Sequence, residues 1–231
     1  MTAFSYYETG NGKLAELDRK YPSYLSAWNG DSVELAEGDT HFGYCHKGTA
    51  MLTYDGTVFP IREKSYFCTP GAGHLESRGG TGIIVSREQY KGFFFIGGVI
   101  ERKGRLKYID GCTDSLLVSP VAMGDPCLNL LYFPPGVFQT MHTHPSDRIG
   151  MVLSGRGRCH TREAETIELE EGMIFCIHAG GEHNFSTPYD DELRVLAYHP
   201  ESDFGPTDEN HPMINRTIIN GVSASELRRV G

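Results

Sequence analysis

Glycine and proline constrain this chain most. Twenty-eight glycines and 12 prolines break its 231 residues so often that no long stretch keeps a helical apolar period. Between the breaks lie short runs rich in Val, Ile, Tyr, Phe and Thr. They include LNLLYF from Leu128, RIGMVL from Arg148, MIFCI from Met173 and LRVLAY from Leu193. This rhythm predicts an all-β sandwich or barrel. Tyr54-Asp-Gly-Thr57 predicts a two-residue hairpin turn, because Asp-Gly supplies the positive φ angles. Residues 13–20 (KLAELDRK) predict one or two helical turns ended before Pro22. Residues 91–100 (KGFFFIGGVI) predict a buried strand or an inter-domain contact. The polar tail from His199 predicts an extended arm, with residues 223–229 as a short helix capped by Ser223.

The formal net charge of −9 argues against nucleic acid and anionic membrane as partners, since both favour a basic face. No apolar run approaches the roughly 20 residues needed to span a bilayer. The segment from Met1 to Glu8 has neither the basic nor the apolar region of a signal peptide. The six cysteines are widely spaced and form no C-x-x-C pair, which predicts reduced core thiols in a cytoplasmic protein. A small molecule is left as the expected partner, and the tail from Ser202 predicts a clasp between the two chains of a homodimer.

Two blocks share one pattern, an apolar strand ending at a glycine turn followed by a strand ending near a histidine. The first runs through Gly48 to His74, the second through Gly155 to His183. The expected division is residues 1–118 and 119–231. In the second block, His142-Thr-His144 would project both imidazoles the same way on an extended segment. Ten histidines make a chance H-x-H common, so the surrounding spacing carries the weight. Five residues separate Gly136 from His142. Gly172 is followed by five residues, then His178-Ala-Gly180, two residues and His183.

With that spacing the second block resembles the cupin superfamily, whose motifs read G-x5-H-x-H-x3/4-E-x6-G and G-x5-P-x-G-x2-H-x3-N. The resemblance covers about 50 residues and implies two tandem antiparallel cupin (jelly-roll-like) barrels. It further implies a divalent metal held by His142, His144 and His183. Fe(II) is the first expectation; Zn, Ni, Mn and Cu also suit imidazole.

Two departures shape the reading. Arg148 occupies the slot of the family's glutamate ligand and cannot coordinate, so it is expected to anchor a substrate carboxylate. Asp147 is the substitute ligand if Pro145 shifts the register. His178 replaces the motif's proline, and Thr187 its asparagine. His178 is a candidate acid/base residue. Tyr198 and His199 cannot both face the pocket by alternation, and Tyr198 is the expected one; Gln139 and Tyr132 are further candidates. Met151, Leu153, Phe175 and Ile177 are the expected apolar walls.

In the first block, His41 and His74 fall at ligand slots, but residues 34–37 (ELAE) lack the H-x-H pair. This barrel is therefore expected to be a degenerate scaffold. The resemblance implies an Fe(II)-dependent oxygenase acting on a small carboxylate-bearing substrate. An alternative is a non-redox isomerase, lyase or decarboxylase on a small keto or sugar acid. A second is a ligand-binding cupin without catalysis.

Overall fold

The computed structural model describes residues 3–17, 20–162 and 165–227. The chain begins with β1 (Phe4–Tyr7), β2 (Gly12–Leu17), β3 (Ser23–Asn29), β4 (Val33–Leu35) and β5 (Thr40–Lys47). Next come β6 (Thr49–Tyr54), β7 (Thr57–Arg62), β8 (Tyr66–Pro70), β9 (Gly73–Ser77), β10 (Thr81–Arg87) and β11 (Phe95–Gly97). The second half holds β12 (Leu106–Lys107), β13 (Thr113–Val118), β14 (Cys127–Phe133), β15 (Arg148–Thr161) and β16 (Thr166–Glu170). It continues with β17 (Ile174–Ile177), β18 (His183–Ser186) and β19 (Leu193–His199). The tail adds α1 (Pro212–Asn215), the small hairpin β20 (Ile218–Ile219) and β21 (Val222–Ser223), and α2 (Ala224–Leu227).

These strands form antiparallel sheets, as the glycine-punctuated pattern predicts. The first half builds a six-stranded sheet in the order β11-β8-β5-β10-β3-β2 and a four-stranded sheet in the order β4-β9-β6-β7. The second half builds a nine-stranded sheet along β1-β17-β15-β19-β14-β13-β12, with β16 and β18 paired to β15. The Asp-Gly hairpin forms between β6 and β7, with Asp55 at φ 47° and Gly56 at φ 70°.

Three buried clusters divide the molecule into layers. One draws on both halves and joins them: Leu25, Phe42 and Val85 meet Leu130, Met151 and Tyr198. A second fills the later barrel with Val152, Phe175, Ile177, Phe185 and Val195. A third fills the earlier barrel, where Trp28 and Phe67 are fully buried. Glycines make room for these rings: a Cβ on Gly43 would sit 2.0 Å from Phe67, and one on Gly82 2.3 Å from Trp28.

Several expectations are corrected. Residues 12–17 form β2, which pairs with β3 rather than turning into a helix, and Leu17 is buried in the joining cluster. That burial outweighs local helix propensity; residues 18 and 19 lie outside the described residues. Only Phe95–Gly97 of the 91–100 segment is a strand. Phe94 stacks on Tyr54 and packs on Phe59, and Ile100 is buried, while Val99 is 70% exposed. The tail folds into two short helices and a hairpin; α2 follows Ser223, whose Oγ accepts the Ser225 amide at 3.3 Å. Residues 228 and 229 lie outside the described residues.

β12 and β13 pair into the second-half sheet through β14, because a short connection favours an adjacent antiparallel partner. β1 crosses over to extend the same sheet beside β17. Among the described residues, no helix is long and apolar enough to cross a membrane.

Candidate metal centre

Backbone pairing brings the two histidine segments together. His142 and His183 form an isolated antiparallel bridge, each amide donating to the other's carbonyl at 2.9 Å. The Gly180 amide also donates to the His144 carbonyl at 2.8 Å. Residues 142–144 are thus an extended edge rather than a regular strand. The ring centroids lie 4.6 Å apart for His142–His183, 5.1 Å for His142–His144 and 5.2 Å for His144–His183. One nitrogen from each ring can be chosen so that all three lie within 4.8 Å of one another.

The rings are prepared for coordination. Nδ1 of His142 lies 2.8 Å from the Thr140 carbonyl, and Nδ1 of His183 lies 2.9 Å from the Gly181 carbonyl. A carbonyl only accepts, so each Nδ1 carries a proton, and Nε2 is the nitrogen left to face an ion. Burial pushes the His144 pKa down to about 3, and Arg148, His183 and His142 push the same way. Burial likewise lowers His183 to about 4 against the Gly181 hydrogen bond, helped by His142 and Arg148. Both are neutral at pH 7, the form that binds a cation. The donor set therefore fits a divalent ion, with three neutral ligands and room for others.

The three rings open onto a cavity of about 480 Å³. Leu131, Ile149, Phe175, Ile177, Phe185 and Val195 give it apolar walls. Polar groups converge on it from Tyr108, Asp114, Arg148, His199 and Asp203. A few polar groups in an apolar cleft make a characteristic small-molecule site.

Arg148, the first residue of β15, lines this cavity. It donates to the Ser146 carbonyl at 3.2 Å, to Ser146 Oγ and to the Asp147 carbonyl at 3.3 Å, and it pairs with Glu201 at 3.4 Å. Its Nε is buried without a partner. The guanidinium thus has an anchored base and an unfilled donor.

The other expected residues lie elsewhere. Tyr198 faces the cluster joining the two halves, 5.2 Å from the Phe42 ring; His199 lines the cavity instead. Strand alternation decides this, since Val195 and Ala197 also face the cavity. His178 points away from the cavity and lies 2.7 Å from Ser5 Oγ on β1. Asp147 points the same way, its Oδ1 accepting the Ala179 amide at 2.8 Å. Met151 and Leu153 belong to the joining cluster, while Phe175 and Ile177 are cavity walls as expected. Gln139 is held internally, with Nε2 on Cys112 Sγ and Oε1 accepting the Phe185 amide. Tyr132 packs beneath the Lys103 ammonium, away from the cavity. In the first barrel, buried His41 binds Ser86 and the Ala36 carbonyl, while His74 pairs with Glu34 at 2.7 Å.

Sequence reasoning missed Asp114, Tyr108 and Asp203. Asp114 sits on β13, ahead of the motifs. Burial raises its pKa; Oδ2 accepts the Asn129 side-chain amide at 2.8 Å, and Oδ1 is buried without a partner. An acidic residue in the apolar T-D-S-L-L-V run was the available signal.

Residues 129–199 match the family model described as Cupin domain. The matched segment runs from β14 through β19 and contains all three clustered histidines. Three solved structures resemble the longer chain. A Pseudomonas aeruginosa protein described as glyoxylate-induced aligns with a TM-score of 0.64 at 16% identity, covering 88% of this chain and 81% of its own. A cupin 2 conserved barrel domain protein from Leptotrichia buccalis aligns at 0.57 and 14%, covering 84% and 86%. Salicylate 1,2-dioxygenase from Pseudoaminobacter salicylatoxidans, in a structure with gentisate, aligns at 0.59 and 12%, covering 77% and 67%. No curated protein matches the sequence. At these identities the likeness is one of fold, and it extends beyond the cupin domain into the first barrel.

Proposed function

We propose that this chain is a metal-dependent cupin enzyme, an Fe(II) oxygenase acting on a small carboxylate-bearing substrate. The observation that carries this reading is the meeting of three neutral imidazoles and one arginine in a single apolar cavity. His142, His144 and His183 would hold the ion. Bound there, iron would supply Lewis acidity and one-electron chemistry with dioxygen. Arg148 orients the substrate by donating to its carboxylate, a charge-assisted contact that also positions the rest of the molecule. Phe175, Ile177 and Val195 exclude water around the reacting carbons. A fold neighbour named for salicylate, itself a carboxylate, supports the same class.

Asp114 favours a second reading, a non-redox isomerase, lyase or decarboxylase on a keto or sugar acid. A buried carboxyl with a raised pKa and an unpartnered oxygen can hold or move a proton at Oδ1. The two readings separate on oxygen. Metal analysis of untagged protein and anaerobic Fe(II) reconstitution come first, followed by O₂ uptake against a panel of small carboxylates. About one iron per chain with substrate-triggered O₂ uptake supports the oxygenase. Turnover without O₂, supported by Zn(II) or Mn(II), replaces it with the second reading. Stoichiometric carboxylate binding with no turnover leaves a binding module. Absence of any metal affinity overturns the catalytic assignment.

A reducing cytoplasmic setting and a homodimer belong to the same proposal. All six cysteines are buried thiols, which supports the first. Exposed Met213, Ile218 and Ile219 on the tail support the second.

A further inference from the structure

We propose that Asp147, Cys176 and His178 form a second metal site, of the zinc type, on the opposite face of the sheet from the three-histidine cluster. Strand alternation creates the opposition. On β17, Phe175 and Ile177 face the first cavity, while Cys176 belongs to the joining cluster and His178 follows it on that face. At the start of β15, Arg148 faces the first cavity and its neighbour Asp147 the second.

The spacing suits zinc. The His178 Nδ1 atom lies 3.8 Å from Cys176 Sγ and 3.9 Å from Asp147 Oδ1. All three ligand atoms fall within 4.8 Å of one another. Tetrahedral zinc with ordinary bond lengths needs N···S about 3.6 Å and N···O about 3.4 Å, so the two pairs that include His178 close by about 0.5 Å or less, and Cys176 Sγ and Asp147 must approach to about 3.6 Å from within 4.8 Å. Thiolate, imidazole and carboxylate are the ligand types zinc takes. One thiolate and one carboxylate neutralise the dication, which matters where Cys176 is fully buried and Asp147 nearly so. Binding exchanges the thiol proton for the metal, and that proton goes to solvent.

The surroundings are already in place. Ser5 Oγ, 2.7 Å from His178 Nε2, can accept its N–H and so direct Nδ1 at the metal. The Ala179 amide holds the Asp147 carboxylate at 2.8 Å. The fourth position faces a cavity of about 510 Å³ bounded by Tyr7, Glu16, Glu88, Asp147 and His178. Two carboxylates at its rim favour cation entry. Tyr7 lines the same cavity and places a phenol hydroxyl group beside the open position.

Cobalt(II) tests the site, because a thiolate ligand adds a charge-transfer band that three imidazoles cannot produce. Metal-free wild type, Cys176→Ser, His178→Gln and His142→Ala/His183→Ala are titrated with Co(II) and with Zn(II). The band should appear in wild type, saturate near one equivalent, survive His142→Ala/His183→Ala and vanish in Cys176→Ser. His178→Gln should weaken Co(II) binding at this site by about tenfold or more. Cys176→Ser should bind one fewer zinc per chain than wild type. A wild type without the band, or a folded Cys176→Ser that binds as many zinc ions as wild type, overturns the proposal. Wild type against Cys176→Ser decides the matter alone if the double variant does not fold. Failure of the three-histidine site would show separately, as no zinc lost in His142→Ala/His183→Ala.

Discussion

At the scale of single residues, the candidate site depends on neutral imidazoles and one buried cation. His142→Ala or His183→Ala should reduce metal affinity at the first site by about tenfold or more, seen by calorimetric titration of the metal-free protein. Arg148→Ala should keep the metal and weaken binding of a carboxylate substrate by about 1.5–3 kcal/mol, the worth of a charge-assisted hydrogen bond. Metal loss in that variant would remove Arg148 from the anchoring role.

Buried His41 carries a different consequence. Burial lowers its pKa from the usual 6.5, against the Ala36 hydrogen bond. Burial lowers the pKa values of His46, His144, His183 and His199 as well, so His41 is one of several groups with the same sign. Below about pH 6.5 the unfolded chain takes up protons that the folded chain resists. Stability should be fully present above that value and fall as pH drops below it. Urea midpoints at pH 7.5 and 5.5 measure this, and His41→Gln should flatten the decline. An equally steep decline in the variant would show that His41 is not its source.

At the scale of elements, an aromatic ring packed over a glycine recurs in both barrels. In the first barrel, Phe67 lies over Gly43 and Trp28 over Gly82, and both rings are fully buried. In the second, Phe175 lies over Gly150, where a Cβ would come within 2.3 Å of the ring, and forms a wall of the open cavity. Gly150→Ala should therefore push Phe175 from its place, cost about 1–3 kcal/mol by urea denaturation and reduce ligand affinity. Unchanged stability and affinity would mean that the ring is free to repack.

Much of this was legible in the apolar runs themselves. LNLLYF, RIGMVL, MIFCI and LRVLAY became β14, the start of β15, β17 and β19 because each could bury a complete face. The histidine cluster was legible because motif spacing brought distant residues into one pattern. What escaped was the partner of each face. KLAELDRK carries a helical period, but Leu17 is claimed by the joining cluster and residues 13–17 are drawn into a sheet. Tyr198 and His199 differ by one step of alternation, and only the neighbouring Val195 and Ala197 reveal which faces the cavity. Asp114 belongs to the site through pairing across β13 and β14, a relation that no local motif encodes.

At the scale of the whole molecule, the two halves are joined by shared core and shared sheet. Leu25, Phe42 and Val85 are buried against Leu130, Met151 and Tyr198. β1 adds a strand from the chain's beginning to the edge of the later sheet, beside β17. Separating the halves would expose the joining cluster and remove that strand, a loss that neither half could offset with new contacts. The protein should therefore unfold in one transition rather than two. Trp28 is the chain's one tryptophan and lies in the core of the first barrel, so its fluorescence reports on that half. Metal held by His142, His144 and His183 reports on the second. The urea midpoints from the two probes should coincide. Tyr198→Ala, which removes the ring packed 5.2 Å from Phe42, should move both midpoints together by about 3–5 kcal/mol of stability. A variant that unfolds the histidine half while Trp28 keeps its native signal would show that the two barrels stand independently and that the joining cluster is only a contact surface.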